Sequence, residues 1–471
     1  MKKTLGKFMA LLVVFAMCLS QSVVFADVTA DNELLTAKEV MTKESYVASD
    51  ATELLYRLYV PTDYNPEKQY SFLLFLHGAG NRGTDNEDQV RKNTGLLDRI
   101  INGEEITSGG EKLDSSKEFI IVAPQCAPEK QWVDTPWGAT PDPSYNIDEI
   151  PQSQYMTAVV ELIEKCKAEY NLNPSRMYIT GLSMGGFGTW DLITRYPDLF
   201  AAAIPMGGAG DPNKADIIAN TPVWTFHQLQ DPTVVAEGTL RMVKALTEAK
   251  AEVRFTPYFD GVHNAWTKGY AEPDMLNWLY SHTKDGTGND AEKPLITSGA
   301  SDWAKGEIAL SAAAGIMPIK LSEDYLADIT REEFCEMVVN ILPKDIESAR
   351  EAVFEDTDNE AVIYAYSVGV VNGTGEKTFE PNLSATREEM ATMLYRAYKL
   401  IAPDAAKTSD GSSPDRSDIS DWAIEAVDFM NEQKIMNGDE LGFLKPLAYT
   451  TCEEAVLLVY RTFLSANRYG K

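Results

Sequence analysis

The sequence predicts an α/β domain, a mostly parallel sheet covered on both faces by helices, followed by an all-α module of three helical repeats. Three observations carry this. Between Glu53 and His282, near-continuous apolar runs alternate with amphipathic helical stretches, the pattern of strands buried on both faces. Beyond the polar stretch Lys284–Pro294 that alternation stops and a motif recurs at an offset of 65 residues. A chain of 471 residues is also too long for one ordinary domain.

The elements follow in order. Met1-Lys2-Lys3 and Lys7 precede an apolar run, Phe8–Leu19, and Val24-Phe25-Ala26. This basic, apolar, small-residue order reads as a secretory signal over residues 1–26 rather than a membrane span. Lipid attachment through Cys18 is the weaker reading, because bulky Met17 stands where a small residue is wanted. No later segment has 18 consecutive apolar residues. Leu54–Val60, Ser71–Leu76, Phe119–Ala123, Met177–Thr180, Ala202–Met206, Val223–Phe226 and Glu252–Tyr258 read as strands. Gln152–Tyr170, Gly186–Tyr196, Gly238–Ala249 and Pro273–His282 read as helices. The predicted α/β domain covers residues 27–283 and a Gly/Asp-rich linker 284–297. Each side is expected to hold its own core, with few contacts across the linker.

In the repeats, Asn372-Gly373 matches Asn437-Gly438, Thr386 matches Thr451, Glu388-Glu389 match Glu453-Glu454, and Tyr395-Arg396 match Tyr460-Arg461. An earlier, degenerate copy has Trp303-Ala304 (compare Trp422-Ala423), Gly315 and Thr330-Arg331-Glu332-Glu333. Each copy reads as a helix, a Gly-containing loop and a second helix opened by a Thr cap with acids in its first turn. The boundaries are 298–345, 346–405 and 406–471.

Net charge is −29, and cleavage after Ala26 would remove three lysines and no acids, giving −32. Such acidity argues against nucleic acid and anionic lipid as partners. The four cysteines beyond the signal are scattered, without CxxC or His/Cys clustering, so no zinc site is indicated. Isolated buried thiols are the expectation, with a Cys126–Cys166 bridge the alternative.

Ser183 sits in Gly181-Leu182-Ser183-Met184-Gly185, between an apolar strand and a helix that stops at Pro197. Strand, sharp Gly-rich turn with a serine, then helix is the context of a nucleophile elbow. A serine nucleophile needs a base, and the chain has four histidines. His77 and His227 end strands and His282 closes a helix, whereas His263 lies in a loop after the last strand. The order Ser, acid, His selects His263 as base and Asp231, after the preceding strand, as the acid that orients it. Asp211 and Asp216 fall one strand too early, and Asp260 is too close in sequence to His263. Oxyanion donors are expected at the N–H groups of Met184 and of Ala79 in His77-Gly-Ala-Gly80. Nothing calls for a metal or organic cofactor.

Leu73–Gly83, the Gly181–Gly188 elbow, Asp231-Pro232 and His263-Asn-Ala-Trp266 together resemble the exported α/β-hydrolases called predicted peptidases, which group with carboxylesterases and polyhydroxybutyrate-depolymerase-like enzymes. The resemblance covers most of residues 45–283. It implies an α/β-hydrolase fold and a serine carboxylesterase, cleaving feruloyl or acetyl esters of polysaccharides or small acyl esters. A prolyl-oligopeptidase-like peptidase is the runner-up, and a non-catalytic surface structural protein the reading from another class. Gln228 departs from the Gly that commonly follows His in such chains and alters the loop leading to Asp231. Trp132 and Trp137, after the strand Phe119–Ala123, fit either a wall for a substrate ring or a self-packed stiffening of a long loop.

The three repeats resemble S-layer homology modules, whose signature is Trp-Ala at the first helix and Thr-Arg-x-Glu at the second. The resemblance implies binding of a secondary cell-wall polysaccharide, with Arg331 and Arg387 meeting a ligand carboxylate and Trp303 and Trp422 beside them. The third copy has Cys452 in place of the arginine, so its groove is expected to be weak or silent. Export, cell-surface location and attachment to the wall or S-layer follow from the same resemblance.

Overall fold

The structure, a computed structural model, describes residues 34–91, 95–137, 142–259, 262–285, 299–317, 324–343, 346, 351, 354–406 and 409–469. The predicted signal, Asp260 and most of the predicted linker lie outside these residues. The described residues from Thr36 onward form one compact unit.

Ten strands are found among the described residues: β1 (Thr42–Val47), β2 (Glu53–Tyr59), β3 (Tyr70–Leu76), β4 (Glu105–Ser108), β5 (Glu111–Asp114), β6 (Phe119–Gln125), β7 (Leu172–Leu182), β8 (Ala202–Met206), β9 (Val223–Gln228) and β10 (Val253–Tyr258). Eight of them form one sheet in the order β1-β2-β6-β3-β7-β8-β9-β10, and β4 and β5 pair as a separate hairpin. β2 runs antiparallel to β1 and β6; from β6 to β10 the strands are parallel. All seven predicted strands are present.

Alternation along β3 shows why the strand is apolar throughout. Phe72, Leu74 and Leu76 enter one core with Met156, Leu162, Phe187 and Leu192. Leu73 and Phe75 enter the other with Leu96, Ile100, Trp266 and Leu276. Successive side chains point to opposite faces, so a strand covered twice has no polar face. The covering helices are α1 (Gly95–Ile101), α2 (Gln154–Glu169), α3 (Met184–Arg195), α4 (Glu237–Glu248), α5 (Ala265–Gly269) and α6 (Met275–Ser281). Helix α2 begins where Ser153 accepts the Met156 N–H.

The C-terminal third holds α7 (Lys305–Ala313), α8 (Arg331–Val339), α9 (Glu360–Ser367), α10 (Arg387–Ile401), α11 (Ile424–Glu432) and α12 (Cys452–Tyr469), two helices per repeat. Thr330 and Thr386 close full capping boxes with Glu333 and Glu389. Each of the three repeats contacts the other two. Isolated bridges join Thr330 to Ser384, Thr386 to Tyr449 and Asp328 to Thr451. The first glutamate of each motif reaches the start of another repeat: Glu332 accepts from Thr357, Glu388 from Ser420 and Glu453 from Ser301.

The expectation of few contacts between the two parts does not hold. Helix α7 packs on α4 and β10, and Val243, Phe255 and Ala313 share a buried cluster with Leu229, Leu240, Val253 and Leu310. The Phe463 ring meets Phe259 edge-on at 5.4 Å between centroids. The reason is physical. β10 is the edge strand of the sheet, and the apolar side chains there and on α4 need a cover. All four described cysteines are unpaired and buried.

Candidate active site

The elbow is shaped by sterics. Ser183 follows β7 with φ 53° and ψ −119°, a conformation an L-residue adopts only when its surroundings hold it there. They do: a Cβ on Gly185 would stand 1.9 Å from Leu76 O, and one on Gly181 would stand 2.3 Å from Gly185 O. Glycine lets β3, β7 and α3 converge, and the serine is raised between them. Its N–H is tied to Met206 O at 2.8 Å.

Ser183 Oγ lies 2.8 Å from His263 Nε2, and His263 Nδ1 lies 2.5 Å from Asp231 Oδ2. With the proton on Nδ1 donated to the carboxylate, Nε2 is left to accept the serine hydroxyl. The Asp231 side chain is 1 % exposed and that of His263 17 %. Burial alone would raise the Asp231 carboxyl. The His263 hydrogen bond and the backbone N–H groups of Val234 and Thr233 outweigh it and hold the group below the ordinary value, ionised.

The other three histidines are occupied. His77 is buried, donates through Nδ1 to Gly78 O and accepts the Cys126 N–H at Nε2. Burial pushes it down to about 4. His282 bonds Trp278 O and Glu252. His227 is fully buried, bonds Thr239 and Val234 O, and stands 3.6 Å from Asp231 Oδ2. Its place against the acid is not readable in the sequence, where it is only a strand end.

The two predicted oxyanion donors lie at helix starts. Met184 is the first residue of α3, and Ala79 opens the 3-10 turn Ala79–Asn81. Such first N–H groups have no acceptor within their own helix. The Gly78 backbone is against the nucleophile, since a Cβ there would lie 3.5 Å from Ser183 Cβ. The site offers a hydroxyl, a base, an ionised orienter and backbone donors, which is the equipment of acyl transfer.

Residues 51–256 match the family model for esterases. The chain carries an esterase domain. That domain has an α/β-hydrolase fold. Residues 355–391 match the model of the S-layer homology domain, so one chain carries both an esterase domain and an S-layer homology domain. Among curated proteins the chain is 30% identical over 262 residues to exoglucanase XynX of Acetivibrio thermocellus, covering 53% of this chain and 23% of that one. It is 41% identical over 83 residues to poly(3-hydroxyalkanoate) depolymerase C of Paucimonas lemoignei, 18% of this chain and 20% of that one. A solved thermostable esterase is 33% identical with a TM-score of 0.43, covering 52% of this chain and 63% of that one. The chain thus spans less than a quarter of the length of these curated relatives.

Beside the esterase's serine, the reading of Trp132 as a substrate wall needs correction. Trp132 is fully buried, donates its indole N–H to His77 O and packs edge-on to His77. A side chain with no free surface stiffens its loop and offers a ligand nothing. Trp137 is half-buried and lines a cleft of about 310 Å³ with Arg82, Gln131 and Thr135.

In the repeats, Arg331 and Arg387 occupy equivalent places. Arg331 donates to Phe379 O, Asn372 O and Glu389, and Arg387 donates to Leu444 O and Asn437 O and pairs with Glu454 at 3.6 Å. Each arginine therefore joins its motif to the Asn-Gly loop and motif glutamate of the following repeat. A cavity of about 440 Å³ is lined by Arg331, Asn372, Glu389, Arg396 and Trp422. Trp422 is 58% exposed and stands two residues after Ser420, which Glu388 caps. Trp303, 60% exposed, stands two residues after Ser301, which Glu453 caps beside Arg387's partner Glu454. The same step from Thr357, held by Glu332, reaches Asn359. The second repeat thus has an asparagine at the place where the first and third have a tryptophan.

Proposed function

We propose that this protein is an exported, wall-attached carboxylesterase whose Ser183, His263 and Asp231 hydrolyse esters through an acyl-enzyme. The observation that supports it best is the unbroken line of hydrogen bonds from Ser183 Oγ through His263 to Asp231. His263 Nε2 takes the hydroxyl proton as Ser183 Oγ attacks the ester carbonyl. Asp231 holds the imidazole in register and stabilises the imidazolium without taking the proton. The N–H groups of Met184 and Ala79 receive the oxyanion. Collapse expels the alcohol with the proton from His263, and a water activated by the same imidazole releases the acid.

Feruloyl or acetyl esters on polysaccharide are the favoured substrates, with small acyl esters accepted. A named exoglucanase among the relatives supports polysaccharide as the setting, and the wall module supports a surface location. Trp137, beside Arg82, offers a ring face near the loop that carries Ala79. Arg331 with Trp422, and Arg387 with Trp303, form two grooves for an anionic wall sugar, arginine for the carboxylate and tryptophan for the ring. Turnover of p-nitrophenyl acetate, methyl ferulate and acetylated xylan, beside a peptide anilide, tests this. Ester turnover with an inert anilide is expected, and the reverse would sink the reading.

A further inference from the structure

We propose that the repeat module is a positioning element of the esterase, with Phe463 and Leu310 bracing the two loops that carry the acid and the base. This rests on the reading of Asp231 and His263 above.

The contacts fall at the roots of both loops. Leu229 is two residues before Asp231 and packs against the buried cluster of Val243, Phe255 and Ala313, as Leu310 of α7 does. Phe259 is four residues before His263, and its ring receives the edge of Phe463 from α12. Phe255, 1% exposed, and Val243, fully buried, complete the apolar seam between β10, α4 and α7. One part of the module thus backs the acid loop and another backs the base loop.

The loops are also tied to each other. Gln228 Oε1 accepts the Asn264 N–H at 2.7 Å, and Gln228 Nε2 donates to Asn264 Oδ1 at 2.7 Å. Gln228 is fully buried. A displacement at either root is therefore carried to the other loop. Triad chemistry is sensitive to such displacement, because misplacing a reacting group by about 1 Å costs on the order of 10²-fold. A merely covering role for the module would alter stability; a bracing role alters turnover at unchanged substrate binding.

The test uses the full chain. Phe463→Ala and Leu310→Ala are compared with Phe463→Tyr and with Leu326→Ala, an exposed apolar residue of the first repeat. Competent sites are counted by titration with a fluorophosphonate, so that misfolded protein does not enter kcat. Bracing predicts that kcat per titrated site falls about tenfold in both alanine variants, with KM within about twofold. It also predicts that Phe463→Tyr restores kcat and that Leu326→Ala leaves it unchanged. Wild-type kcat per site in both alanine variants, or a rise in KM alone, would overturn the proposal. A failure of the triad reading appears separately, as His263→Ala retaining turnover in the unbraced and braced chains alike.

Discussion

Gln228 and Asn264 hold each other by two reciprocal hydrogen bonds, each 2.7 Å long, linking the end of β9 to the residue after His263. The glutamine that looks anomalous in sequence thereby acquires a structural role, fixing the distance between the acid and base loops. Replacing it by glycine is expected to strand the Asn264 N–H and loosen His263. A buried donor left unpaired costs about 1–3 kcal/mol. Gln228→Gly should lower the unfolding free energy by that amount and reduce kcat about tenfold, measured by urea unfolding and by p-nitrophenyl acetate turnover. Unchanged values for both would show that the clasp does nothing.

The elbow should tolerate no Cβ at Gly185. Gly185→Ala would place it 1.9 Å from Leu76 O, a backbone atom that cannot step aside, whereas Gly80→Ala meets nothing within 4 Å. The first is expected to cost about 3 kcal/mol or more and the second almost nothing. Thermal unfolding of the two variants decides it; equal midpoints would contradict the geometry.

His77 links stability to pH. Its folded value is about 4, below the ordinary 6.5, because burial disfavours the charged ring. The unfolded chain therefore binds this proton first on acidification. The contribution is complete above about pH 6.5 and is lost as pH falls toward 4, to a total of about 3 kcal/mol. Urea midpoints across that window should fall more steeply in wild type than in His77→Gln. Parallel slopes would refute the assignment.

Wall attachment should depend on two grooves. Arg331→Ala, Arg387→Ala, Trp303→Ala and Trp422→Ala are each expected to weaken co-sedimentation with cell-wall sacculi. Cys452→Ala and Asn359→Ala should leave it unchanged, since neither side chain supplies a cation or a ring. Equal losses across all six variants would mean that the grooves are not the binding sites.

Much of the fold and site is legible in the sequence, and the exceptions have physical causes. The seven apolar strands stand out because both faces of the sheet are covered. β1, Thr42–Val47, has no buried residue, so no apolar pattern announces it; the β4–β5 hairpin is similarly polar. The meeting of Ser183, His263 and Asp231 in one line of hydrogen bonds is legible because chain order restricts each to one place. Trp132 is not: a tryptophan after a strand looks the same whether it faces a ligand or donates to His77 O. Nor is the seam between the two parts visible. Val243, Phe255 and Leu310 each read as core of their own domain, and only the fold shows them sharing one cluster.

The central claim, that Ser183 is the nucleophile, is tested most directly by Ser183→Ala on p-nitrophenyl acetate. Loss of a triad nucleophile should lower kcat on the order of 10⁶-fold, against about 10²–10³ for one oxyanion donor. The thermal midpoint should stay close to that of wild type, since the change removes one hydroxyl and leaves the turn and the core in place. A variant that keeps a tenth of wild-type turnover would contradict the account.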